Sequence, residues 1–122
     1  MQYGGYLREK KDFKIINGLA KILKLLHKHE TYATFFMVGE ILEKFPETLD
    51  KILDDGHEIS FHTMYHSRLD SEGYREKFSK ELEKFSRLTN NKSRGFRAPT
   101  FSFTSKNHSS KVLSSQLVKN GI

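Results

Sequence analysis

An α/β fold is what this sequence predicts: about three parallel strands joined by crossover helices, in an α/β sheet or a partial (β/α) barrel. Three observations carry that expectation. Segments with apolar residues at helical spacing alternate with short runs rich in aromatic and β-branched residues, in the order helix, strand, helix, strand, helix, strand, helix. Gly and Pro fall at the joints between them. The 122 residues suffice for one domain, 1–122, whereas a complete barrel takes ~200 residues or more. The expected object is therefore an incomplete domain, a piece of a larger one.

The elements follow in order. From Asp12 to Glu30, Ile15, Ile16, Leu19, Ile22, Leu23 and Leu26 make one apolar helix face, with Asp12 read as its cap. YATFFMVG is a short apolar run ending at Gly39, a buried strand. Helical spacing returns from Ile41 to Asp55 through Leu42, Phe45, Leu49, Ile52 and Leu53. Pro46 suits a first turn after a short lead-in, and Gly56 suits the stop. HEISFHT alternates Ile59 and Phe61 with polar residues, a second strand. Ser71 is placed to cap a third helix with the stripe Tyr74, Phe78, Leu82, Phe85 and Leu88. RGFRAPTFSF reads as a third strand running into a loop at Pro99, and SSKVLSSQLVKNG as a fourth helix.

Composition narrows the function. With no cysteine, a disulfide scaffold, a thiolate zinc site and a Cys nucleophile are excluded, so any metal must rest on His, Asp or Glu. No apolar stretch is long enough to cross a bilayer, and the N-terminus MQYGGYLREKKDF lacks the apolar segment of a secretory signal, which as written points to the cytoplasm. The net charge of +6 is concentrated at the ends: residues 1–28 hold seven Lys/Arg against two acids, and residues 90–122 hold six against none. Solvated helix faces account for this better than a nucleic-acid footprint, because Lys is not interleaved with stacking aromatics.

The chemistry sits in FHTMYH. His62 and His66 lie four residues apart at the C-terminal end of the second strand and in the loop after it, where α/β folds gather their ligands. Two neutral imidazoles bent around a turn can share one divalent ion, which then needs a third protein ligand and an open position for water. Among the other histidines, His27 and His29 lie at a helix end, His57 opens a strand at the opposite end, and His108 sits in a polar loop. None has ligand spacing.

In order, ATFFMVG, FPETLDKILDDGHEISFHTMYH and GFRAPTFSF resemble the NodB-type polysaccharide deacetylases, carbohydrate esterase family four. His62, Thr63 and His66 match that family's H-[ST]-x-x-H metal motif, and Arg97 with Pro99 matches its R-x-P motif. The resemblance implies hydrolysis of acetyl groups from N-acetylated polysaccharides or oligosaccharides with a divalent metal, zinc first. His62 and His66 would bind the ion, and Thr63 would steady their loop. Arg97 would orient a catalytic carboxylate, and the Thr100 N–H would stabilise the oxyanion. Phe101 and Phe103 would line the sugar site or pack the core.

The chain also departs from the pattern. No aspartate pair precedes the first helix, so the base and third ligand are missing, and the later motifs with the histidine acid are not in this sequence. Little or no activity of this chain alone is expected, and a complementing chain carrying the missing barrel strands is one partner this reading allows. The competing expectations are a non-catalytic glycan- or protein-binding module derived from the same fold and a basic nucleic-acid binder. Substrate polymer, metal identity and oligomeric state are left open by the sequence.

Overall fold

The computed structural model describes residues 9–102 and 117–118. Phe103, His108 and the expected fourth helix, apart from Leu117 and Val118, lie outside them.

Helix α1 (Glu9–Lys28) leads to strand β1 (Thr34–Met37). Helices α2 (Gly39–Lys44) and α3 (Glu47–Asp54) then cross to β2 (Glu58–Phe61), followed by α4 (Tyr74–Leu88) and a 3₁₀ turn, Pro99–Phe101. β1 and β2 pair in parallel, with Phe35 opposite Ile59 and Met37 opposite Phe61. The third strand contracts to one parallel bridge, Phe61 to Phe96. Three backbone bonds support it: Arg94 N–H to Ile59 C=O, Phe61 N–H to Gly95 C=O, and Arg97 N–H to Phe61 C=O. The ladder runs out there because Pro99 has no N–H and holds Ala98 extended, with ψ 133°.

Local chemistry sets the joints. The helical segment expected over 41–55 divides at Pro46 into the short lead-in α2 and the longer α3: the residue before a proline is kept out of the helical region, and Phe45 sits at φ −132°, ψ 72°. Gly56, at φ +86°, closes α3 with its N–H on Leu53 C=O and the His57 N–H on Ile52 C=O. This paired closure is the common glycine-terminated helix end. Two expected caps differ. Asp12 lies inside the first turn of α1, which begins at Glu9. Gly73, at φ 75°, precedes α4, and the Ser71 hydroxyl instead donates to Arg68 C=O.

β2 is central: Ile59, Ser60 and Phe61 are all fully buried, the pattern of a parallel strand covered on both faces. Phe61 packs on Phe78, Phe85 and Phe96, its ring centre 4.7 Å from that of Phe85. α1 contributes less than its apolar face suggested. Leu23 is buried, but Ile22 is half exposed. Among the described residues no helix is long and apolar enough to cross a membrane.

The close approach of α2 to the loop after β2 depends on Gly39. A Cβ there would lie 2.2 Å from Met64 Sδ, 2.8 Å from its Cε and 3.3 Å from Phe85 Cδ1. Met64 is fully buried, so its sulfur and methyl would have to shift within the packed interior. Gly39→Ala is expected to lower stability by ~1–3 kcal/mol through overpacking, measured as the shift in the urea midpoint at constant slope. A variant as stable as the parent would show that Met64 has room to move.

Candidate metal centre

The loop leaving β2 is anchored at both of its neighbours. The His62 N–H continues the β1 pairing onto Met37 C=O, and the first two N–H groups of α2, from Gly39 and Glu40, donate to the carbonyls of Thr63 and Met64. Helix starts carry unused N–H groups, so this loop meets donors ready to receive its carbonyls. Inside the loop the Thr63 hydroxyl oxygen accepts the Ser67 N–H at 3.1 Å. Thr63 and His66 adopt φ 61° and 60°, left-handed conformations that are uncommon outside glycine and rarer still for a β-branched residue. This bent backbone brings the two imidazoles together.

Their ring centres are 5.0 Å apart with the planes at 68°. Two imidazoles on one tetrahedral zinc, with Zn–N of ~2.0–2.1 Å, would have ring centres ~5 Å apart. The spacing therefore fits two positions of one ion. The tautomer fits as well. His62 Nδ1 lies against the Arg97 backbone carbonyl; a carbonyl can only accept, so Nδ1 carries the hydrogen and Nε2 keeps its lone pair. Burial, the neighbouring His66 and the Arg97 charge hold His62 below the usual histidine pKa, against the opposing pull of that hydrogen bond. The ring is thus kept in the neutral form a metal needs.

The Arg97 guanidinium stacks over the Phe36 ring at 4.2 Å, which places its charge on the β1 side of the pair. Thr100 stands at φ 52°, ψ 30° in the 3₁₀ turn. Its N–H belongs to a first turn, where no partner exists within the helix itself. Among the described residues no group of three His, Asp or Glu is placed to hold a metal. The structure brings His62, His66 and the Arg97 backbone into one site and sets Thr100 on the adjoining turn, without a third ligand. His57 is elsewhere, buried at the start of β2 with Nδ1 accepting the Ala33 N–H at 3.2 Å.

Several supporting residues escape a reading by motif. Arg68 grips Asp70 through two bonds of 2.8 and 2.7 Å and donates to the Thr100 hydroxyl at 2.9 Å. The buried Ser102 hydroxyl accepts the Leu69 N–H and donates to Pro99 C=O. Glu81, half-buried on α4, accepts the Met64 N–H at 3.0 Å and the Tyr74 hydroxyl at 2.8 Å. The available sequence signal was position: Glu81 follows Tyr74 by seven residues, two helical turns, and so shares its face.

A pH dependence follows from His62. A base whose folded pKa is depressed binds its proton first in the unfolded chain, so its contribution to stability is present above ~6.5 and declines as pH falls through the folded value. Imidazole ¹⁵N spectra are expected to show His62 protonated on Nδ1 at pH 7 and titrating below the usual histidine range. An Nε2–H tautomer would contradict the Arg97 contact.

With this geometry in place, likeness to known proteins can be weighed. Residues 16–116 match the family model described as polysaccharide deacetylase. The chain is 39% identical over 71 residues to a peptidoglycan-N-acetylglucosamine deacetylase of Bacillus cereus, covering 56% of this chain and 26% of that protein. It is 33% identical over 63 residues to a chitooligosaccharide deacetylase of Sinorhizobium fredii, covering 52% of this chain and 29% of that protein. A crystal structure of a carbohydrate esterase family four pseudoenzyme from Bacillus anthracis superposes with a TM-score of 0.68 at 28% identity, covering 80% of this chain and 35% of that one. The chain thus spans about a quarter to a third of the length of these relatives. By the extent of the family match and the order of its elements, the chain belongs to the polysaccharide deacetylase family.

Proposed function

We propose that this chain carries the metal-binding half of a deacetylase that hydrolyses N-acetyl amide bonds on an amino-sugar polymer. The observation that carries the reading is the His62–His66 pair at 5.0 Å, with His62 Nε2 left available by the Arg97 carbonyl. A divalent ion held there, zinc first, would polarise the amide carbonyl and lower the pKa of bound water toward ~7.

The remaining residues have roles of their own. Arg97 acts twice: its carbonyl fixes the His62 tautomer, and its guanidinium, steadied on Phe36, offers a charge-assisted fork to a carboxylate that would serve as base. The Thr100 N–H is the donor for the developing oxyanion. That carboxylate, the third ligand and a general acid are not among the described residues, and loss of an acid or base removes ~10²–10⁴-fold in rate. The N-acetylated glycan is the substrate class suggested by the peptidoglycan and chitooligosaccharide relatives.

A second reading has one specific support: the Bacillus anthracis relative is a pseudoenzyme. On that reading the chain retains the fold and binds glycan, or another chain supplying the missing strands, without turnover.

Zinc titration of the chain followed by calorimetry tests the metal site. Binding is expected to weaken at least ~10-fold in His62→Ala and in His66→Ala, since disturbing even a supporting residue of a metal site costs that much. Equal binding in all three proteins would overturn it. Little or no acetate release from N-acetylglucosamine oligomers is expected of the chain alone. Metal-dependent turnover would show that the carboxylate is supplied from within these 122 residues.

A further inference from the structure

We propose that Glu81 is a positioning residue for the histidine pair, setting from helix α4 the bend that brings the two rings together. The inference rests on the metal-site reading for its purpose, and on geometry of its own for its substance.

Between His62 and His66 the loop carries three residues, of which Thr63 and Met64 are fully buried. Thr63 is held at a left-handed φ of 61°, a conformation that relaxes unless its surroundings enforce it. The N–H of the next residue, Met64, points to Glu81 Oε1 at 3.0 Å. The same oxygen receives the Tyr74 hydroxyl at 2.8 Å. Tyr74 is itself buried, at 3% exposure. Burial and the Glu81 charge push the Tyr74 phenol well above its usual range, so it stays a donor at any working pH. On the loop side, the Ser67 N–H donates to the Thr63 hydroxyl.

The consequence is mechanical. A buried N–H without an acceptor is strongly disfavoured, so with Glu81 removed the Met64 amide must turn toward water, and the Thr63 bend is what it turns about. The ring spacing is then lost while the aromatic core beneath, Phe61 on Phe85, keeps its packing. Glu81 acts through Met64 and Tyr74.

The test uses the full chain as wild type, Glu81→Gln, Glu81→Asp and Glu81→Ala. In metal-free protein, backbone ¹³C shifts and three-bond couplings report the φ of Thr63 and His66, and ring-to-ring NOEs report the imidazole spacing. Zinc affinity is measured on the same samples. Glu81→Gln keeps an oxygen in place for both donors and is expected to retain the left-handed signature, the NOEs and zinc affinity within ~3-fold of the parent. Glu81→Ala is expected to lose the signature and the NOEs and to bind zinc ~10–100-fold more weakly, with Phe61 and Phe85 resonances in place. Glu81→Asp, one methylene short of both donors, moves the same way by less and decides the matter if the alanine variant does not fold. A Thr63 signature and ring spacing unchanged in Glu81→Ala, or in Glu81→Asp where that variant stands in, would overturn the proposal. So would core resonances that shift as much as the loop, or a glutamine variant as impaired as alanine. Failure of the wild-type chain to take zinc would overturn the metal reading instead, and the metal-free signature then decides the part of Glu81 by itself.

Discussion

The contact between the His62 ring and the Arg97 carbonyl joins positions 35 apart in sequence, and the rest of the site is arranged around it. It exists because the chain returns parallel to β2 for one bridge at Phe96, which delivers the Arg97 backbone to the strand end where His62 emerges. One hydrogen bond thereby selects the tautomer of His62, aims Nε2 away from the protein backbone, and couples the histidine motif to the arginine motif. The arginine is commonly valued for its guanidinium. Here its main chain is equally involved.

A single contact cannot hold a loop whose backbone is bent against preference. Thr63 and His66 both stand at positive φ, each at a cost of order 1–3 kcal/mol. The compensation is visible in where the loop's polar groups go. Two carbonyls meet the first N–H groups of α2, one N–H meets Glu81, and the Thr63 hydroxyl accepts Ser67. Gly39 matters for the same reason: without a side chain, α2 comes near enough for its N–H groups to reach. Strain at the histidines is therefore distributed into α2, α4 and the rest of the loop.

Much of this was legible from residue patterns. β1 and β2 fall where the apolar run YATFFMVG and the alternating segment HEISFHT place them, though β1 is only partly buried and Ser60 of β2 is fully buried. The histidine pair was legible because four-residue spacing after a strand is a short-range signal. RGFRAPTFSF has strand composition but pairs at one bridge, because pairing depends on donors and Pro99 removes one within three residues of Phe96. Ile22 was placed on a buried face that the helix does not bury, because periodicity gives the width of an apolar stripe and not how much of it a neighbour covers. Glu81 was invisible for a related reason. A glutamate beside an apolar stripe looks like the solvated margin of a helix, and only the fold shows that two donors await it.

The electrostatics of the half-site argue for what completes it. Burial first, then the neighbouring His66 and the Arg97 charge, hold His62 below the usual histidine pKa, and a positive charge that disfavours a proton on that ring also disfavours a cation beside it. Two imidazoles near a guanidinium would make a poor cation site in isolation, since ligand geometry favours an ion while the neighbouring charge opposes it. A carboxylate placed between ion and guanidinium reverses the balance, because it is attracted to both, and each attraction keeps it ionised. The Arg97 guanidinium is held over Phe36. On the proposed function, Arg97 would serve to admit metal and acid together, and the histidines without the acid are expected to hold metal only weakly.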